Sequence, residues 1–104
     1  MNAAPLNEAV VIEALRQVID PEIGCNIVDL GMIYDVVISG PFVGVTMTLT
    51  TPGCPVGEHI ADGAKYALLA LEGVSDAEVA ITFEPPWHPD MMTEAGRAIA
   101  GTRY

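Results

Sequence analysis

Ile33-Tyr34-Asp35-Val36-Val37-Ile38-Ser39-Gly40-Pro41-Phe42-Val43-Gly44-Val45-Thr46-Met47-Thr48-Leu49-Thr50 is the stretch on which the fold turns. From Ile33 to Ser39 the side chains alternate, with Tyr34, Val36 and Ile38 on one face and Asp35, Val37 and Ser39 on the other. Gly40-Pro41 is a turn pair. From Phe42 to Thr50 the alternation is stricter: Val43, Val45, Met47 and Leu49 share one face, and Gly44, Thr46, Thr48 and Thr50 the other. A period of two belongs to an extended chain with one buried face. Two such runs across a short turn predict an antiparallel hairpin.

Upstream, the period changes to that of a helix. Val11, Ala14, Leu15 and Val18 recur at helical spacing between Glu8 and Ile19, with Asn7 as N-cap. Asp20-Pro21 stops that helix, because the residue before proline avoids the α region. Residues 21–31 read as an ordered loop packed through Ile23, Ile27, Val28 and Leu30. Downstream, Pro55 suits a first helical position, and Ile60, Ala64, Ala67, Leu68 and Leu71 form an apolar stripe that ends at Gly73. A third alternating strand runs from Ala77 to Glu84, with Val79, Ile81 and Phe83 inward, and Pro85-Pro86 ends it. A short helix from about Thr93 to Ala100 closes the chain, although Gly96 is a poor helix former. The order α-β-β-α-β-α predicts an α+β two-layer sandwich, with helices on one face of a small three-strand mixed sheet. The threonine-rich face (Thr46, Thr48, Thr50, Thr82) is expected to be the solvated one.

The 104 residues suit a single domain, 1–104, and the 51% hydrophobic share supports a core without cross-links. Two cysteines, Cys25 and Cys54, make no disulfide framework, and no apolar run reaches the roughly 20 residues of a bilayer span. With no signal peptide in Met1-Asn2-Ala3-Ala4-Pro5, a cytoplasmic setting is expected. Fourteen acidic residues against four basic ones give a net charge of −10. That balance excludes nucleic acid and anionic membrane as partners, since both are bound by neutralising phosphates with Lys and Arg. It suits metal ions or basic proteins, or serves solubility alone.

Chemistry concentrates in Thr50-Thr51-Pro52-Gly53-Cys54-Pro55. A cysteine at a helix start meets unpaired N–H groups and the positive end of the helix dipole, and both favour the reactive thiolate. The competing reading is a small buried residue. Cys25 is expected to be buried and inert. His59 stands five residues after Cys54, about 140° round a helix, so the two do not share a face. His88, beside Trp87, could serve as a base only if its loop folds toward Cys54. Asp20, Glu22 and Asp29 offer carboxylates, with turn formation and capping as the alternative. Trp87 is either an exposed anchor or a plug at one end of the core.

Four motifs in order are similar to those of the small iron–sulfur assembly domains of the SufT and PaaD type: Asp20-Pro21-Glu22, Ile27 to Tyr34, Thr48 to Pro55, and Glu84-Pro85-Pro86-Trp87 with Met92. The likeness covers about residues 10 to 101. It implies an accessory protein in iron–sulfur cluster assembly or delivery, working with the assembly machinery and client apo-proteins. It also implies a functional cysteine at Cys54, with Thr51, Asp20 and Asp29 at motif positions of a cluster-contacting site. The chain ends at Tyr104 without the cysteine-rich tail of the PaaD branch, which favours the stand-alone SufT-like branch. His88 stands where the family more often has a small hydroxyl residue.

Ligand counting constrains this expectation. A cluster commonly takes about four cysteine thiolates. Cys54 alone cannot hold one, so a transient iron or iron–sulfur contact is expected, completed by other ligands, by a client or by the second thiol of a homodimer. Two other readings remain: a cysteine-dependent enzyme with Cys54 as nucleophile and His88 as base, and a non-catalytic adaptor using Trp87 and the acidic loops.

Overall fold

A computed structural model describes residues 6–50, 53 and 56–100. Helix α1 (Glu8–Leu15) is capped by Asn7, whose side chain accepts a hydrogen bond from the Val10 amide. Two short strands follow, β1 (Ile19–Asp20) and β2 (Cys25–Asn26), paired antiparallel. Next come β3 (Ile33–Ser39), β4 (Phe42–Met47), helix α2 (Gly57–Leu69), β5 (Asp76–Ile81), a 3-10 turn (Pro89–Met91) and helix α3 (Glu94–Ala100). None of the described helices is long and apolar enough to cross a membrane.

The hairpin forms as its alternation predicts. Strands β3 and β4 pair antiparallel from Ile33↔Met47 to Ser39↔Phe42. Strand β5 joins β4 in parallel, from Phe42↔Asp76 to Met47↔Ile81, with α2 in the crossover. The sheet order is β3-β4-β5, so the strictest alternator takes the centre. Helix α2 packs on β5 and α1, and α1 packs on β3, which makes the expected α+β two-layer arrangement. Val43, Val45 and Met47 meet Val11 and Leu15 of α1 and Ile60, Ala64 and Leu68 of α2 in one buried cluster. Each fully buried side chain of this size contributes about 1.5–3 kcal/mol.

Four boundaries differ from the sequence expectation. Helix α1 ends at Leu15 rather than Ile19, because Ile19 and Asp20 leave it to pair with Asn26 and Cys25. Strand β4 stops at Met47, and Thr48 turns fully inward with its amide donating to the Met32 carbonyl at 2.8 Å. Thr48 therefore does not belong to a solvated threonine face. Helix α2 ends at Leu69 rather than running to Gly73, and its expected first residue, Pro55, lies outside the described residues. Strand β5 ends at Ile81, and Ile81 and Phe83 are left 37% and 40% exposed on the edge strand of the sheet.

Gly63 lies in mid-helix on α2, and a Cβ there would sit 3.6 Å from Val18 Cγ1, an ordinary contact. Gly63→Ala should therefore raise stability by about 0.5–1 kcal/mol through helix propensity. A urea midpoint unchanged or lower in this variant would contradict the stated spacing.

Candidate functional site

The three motif segments around the expected site leave the sheet at one end. Met47 closes β4 and is the register partner of both Ile33, which opens β3, and Ile81, which closes β5. The amides of Thr48 and Thr82 donate to the carbonyls of Met32 and Met47, both at 2.8 Å, and extend the pairing one step past the strands. The Asp29–Gly31 loop enters the sheet at this end. The segment leading to Cys54 and the segment leading to Trp87 both leave it there. Parallel pairing is the cause: it brings the ends of β4 and β5 side by side.

Cys54 and Thr51 lie outside the described residues, as do Pro52 and Pro55. What borders them is well fixed. Leu49, 7% exposed, packs against Gly57, the buried first residue of α2. A Cβ on Gly57 would approach Leu49 Cδ1 to 2.5 Å, so the absence of a side chain is what brings helix and strand extension together. Val56 occupies the N-cap position of α2 and provides no side-chain hydrogen bond.

Asp29 is the hub of the neighbouring loop. Its Oδ1 accepts from Arg16 Nη1 and from Thr93 Oγ1, both at 2.8 Å, and its Oδ2 accepts from Asn26 Nδ2 at 2.7 Å. The Asn26 side chain in turn accepts from the Asp29 amide at 2.9 Å, and the Thr93 amide donates to the Asp29 carbonyl at 2.8 Å. The hydrogen bond from Asn26 leads the groups that hold this carboxyl below its ordinary range, with Arg16 and Thr93 adding to it. Arg16, also paired with Glu13 at 3.3 Å, is raised for the reciprocal reason. One carboxylate thereby ties α1, the loop and the entry to α3. Gly96 lets α3 close on it, since a Cβ there would run into the Asp29 carbonyl.

Asp20 is 1% exposed, and its Oδ1 accepts from the Glu22 amide at 2.9 Å. Its carbonyl accepts from Ile23 and Gly24, so it shapes the tight turn between β1 and β2. Cys25, 1% exposed, lies opposite Asp20 in that hairpin, and burial pushes its thiol pKa up, with Asp29 adding to the effect. Its burial is what the sequence suggested.

Trp87 is a plug. Its Nε1 donates to the Leu30 carbonyl at 2.7 Å and its ring packs against the core. Tyr34 Oη donates to the Pro85 carbonyl at 2.8 Å and fastens the same segment to β3. His88 is exposed and caps the 3-10 turn, with Nδ1 accepting from the Asp90 amide at 3.1 Å. His59 is exposed on α2. Sequence reasoning missed Arg16, Asn26 and Thr93. The Asn26-x-x-Asp29 spacing, which suits a side chain bonding to a backbone amide three residues on, was the available signal.

Among the described residues, no three His, Cys, Asp or Glu side chains are grouped to hold a metal ion. A ligand set on this chain would have to draw on Cys54.

Comparison with known proteins agrees with this geometry. The pattern of the family described as iron–sulfur cluster assembly protein matches residues 8–81. The Fe-S protein maturation auxiliary factor SufT of Staphylococcus aureus is 44% identical over 85 residues, covering 81% of this chain and 97% of that protein. The Fe-S protein maturation auxiliary factor YitW of Bacillus subtilis is 44% identical over 92 residues, 88% of this chain and 90% of its own. A crystal structure of a domain of unknown function from Bacillus anthracis superposes with a TM-score of 0.86 at 34% identity, covering 90% of this chain and 91% of that one.

Proposed function

The chain belongs to the iron–sulfur cluster assembly protein family, and from that membership we propose that it is a non-enzymatic accessory factor that helps deliver iron–sulfur clusters to client apo-proteins in the cytoplasm, through Cys54. The observation that supports this reading most is that the Asp29 loop, the strand extension that leads toward Cys54 and the segment that leads to Trp87 all meet one end of the sheet.

In this reading the cluster is cargo. Full ligation takes about four thiolates. The chain has two cysteines, and Cys25 is sealed in the core. Cys54, three residues ahead of α2 in the sequence, supplies one contact, with Thr51 three residues before it, and the client or a second chain supplies the rest. Asp20 and Asp29 serve the site by holding its neighbouring loops, because their carboxylate oxygens are engaged by Glu22, Arg16, Asn26 and Thr93. Handover suits this arrangement: a single thiolate releases a cluster to a client that offers more ligands.

Cys54→Ser tests the proposal in cells that lack the wild-type protein. The variant should keep its unfolding midpoint while iron–sulfur enzyme activity falls several-fold. Activity equal to wild type would show an adaptor that works without the thiol. A stable, stoichiometric cluster on isolated monomer after anaerobic loading with iron and sulfide would show a resident cofactor instead of cargo.

A further inference from the structure

Strand β5 is an edge of the sheet, paired with β4 on one side only. The Thr82 amide donates to the Met47 carbonyl and the Asp76 amide to the Pro41 carbonyl, so residues of this parity turn their backbone groups toward β4. Ala77, Val79 and Ile81 alternate with them and turn their N–H and C=O groups away from the sheet. The Ala77 amide is met by Asp76 Oδ1 at 2.9 Å. The amides of Val79 and Ile81 have no hydrogen-bond partner among the described residues. Proline, lysine and bulges commonly blunt such an edge, and β5 has none of them.

The two faces of this edge differ in chemistry. Ala77 and Val79 pack on the core. By alternation Ile81, and Phe83 just past the strand, lie on that same side, and both are exposed. Asp76 and Glu78 stand exposed on the opposite side, and the exposed Glu84 extends the acidic row past the strand. Ion pairs among the described residues join Arg16 to Glu13 and Asp29, and His88 to Asp90. None reaches Asp76, Glu78 or Glu84. The charges that guard this edge are thus all of one sign, which turns away acidic strands and admits basic ones. A second copy would bring ten further negative charges. Antiparallel self-pairing about Ile81 would also set Glu78 of one copy against Glu84 of the other.

We propose that the free edge of β5 receives an extended segment of a partner protein as a fourth strand. Lysines or arginines of that segment stand beside Asp76 and Glu78, and aliphatic residues at the alternate positions cover Ile81 and Phe83. The edge runs to the sheet end from which the strand extension leads toward Cys54, so a partner held here is held beside that end. This binding needs no thiol, and its failure would leave the Cys54 proposal standing.

The test uses the full chain and three synthetic peptides of about nine residues. The first alternates lysine with valine. The second has glutamate in place of lysine. The third is the lysine peptide N-methylated at every backbone amide, which keeps its charge and removes its donors. Followed by amide NMR, the lysine peptide should bind about tenfold or more tightly than either of the others. The Val79 and Ile81 amides should exchange with solvent more slowly when it is bound. Glu78→Lys, an exposed change, should erase most of the preference for lysine over glutamate while the unfolding midpoint holds. Ile81→Pro, which deletes an outward N–H at the strand's end, should weaken the lysine peptide about tenfold. Glu78→Lys keeps the test decisive if the proline variant unfolds. Equal binding of the lysine and glutamate peptides, undiminished binding of the N-methylated one, or protection confined to other elements would overturn the proposal. So would concentration-dependent dimerisation of the protein alone that protects the Val79 and Ile81 amides.

Discussion

Gly31→Ala should destabilise the protein by about 2–5 kcal/mol, a large part of the total for a domain of this size. Two costs combine. Gly31 has φ of +78°, where an L side chain pays about 1–2 kcal/mol. Its Cβ would also run into the Met91 carbonyl, a backbone atom that cannot step aside as a side-chain end can. Gly24→Ala separates the two costs, because Gly24 has φ of +81° but open space around it. Urea unfolding of both variants should show Gly31→Ala as the more harmful by at least about 1 kcal/mol. Equal losses would mean that the approach of the Met91 segment to the Asp29–Gly31 loop contributes nothing to stability.

Asp29→Ala should cost about 2–4 kcal/mol, since it strips the partner from Arg16, Asn26 and Thr93 together. Arg16 is 36% exposed, so water recovers part of the loss and the effect stays below that of a fully buried ion pair. The acid dependence follows from the depressed carboxyl pKa. A group depressed on folding contributes fully above its unfolded value of about 3.9 and loses that contribution as pH falls through the native value. The stability gap between wild type and Asp29→Asn should therefore be widest near neutrality and close below about pH 4. A gap that stays constant from neutral to acid would mean that the Asp29 charge has no part in the network.

The hairpin was legible in the sequence because each strand has one covered face, so Val43, Val45 and Met47 wrote their burial directly into a period of two. The parallel β4–β5 pairing was legible only in outline, as a strand–helix–strand order. Thr48 was misplaced because its hydroxyl marks it as an outward residue while its backbone continues the ladder inward to Met32. The β1–β2 hairpin was missed because two-residue strands are too short to carry a period. Gly96 argued against α3 on propensity, yet it is there because the helix must approach the Asp29 carbonyl. For the site, the chemical residue types were visible in the motifs. The Arg16–Asp29–Thr93 tie was not, since its members are 13 and 64 residues apart and meet only through the fold.

The sealing of Cys25 gives the protein a built-in clock for its own opening. A thiol 1% exposed, with its ionisation suppressed by burial, reacts with an alkylating reagent only during the moments when the β1–β2 hairpin is open. In Cys54→Ser it is the sole thiol in the chain, so one reactive event counts one opening. At high reagent concentration its labelling rate reads the frequency of opening, and at low concentration its equilibrium population. The same variant that tests what Cys54 does can thus time how often the Asp29 clasp lets go.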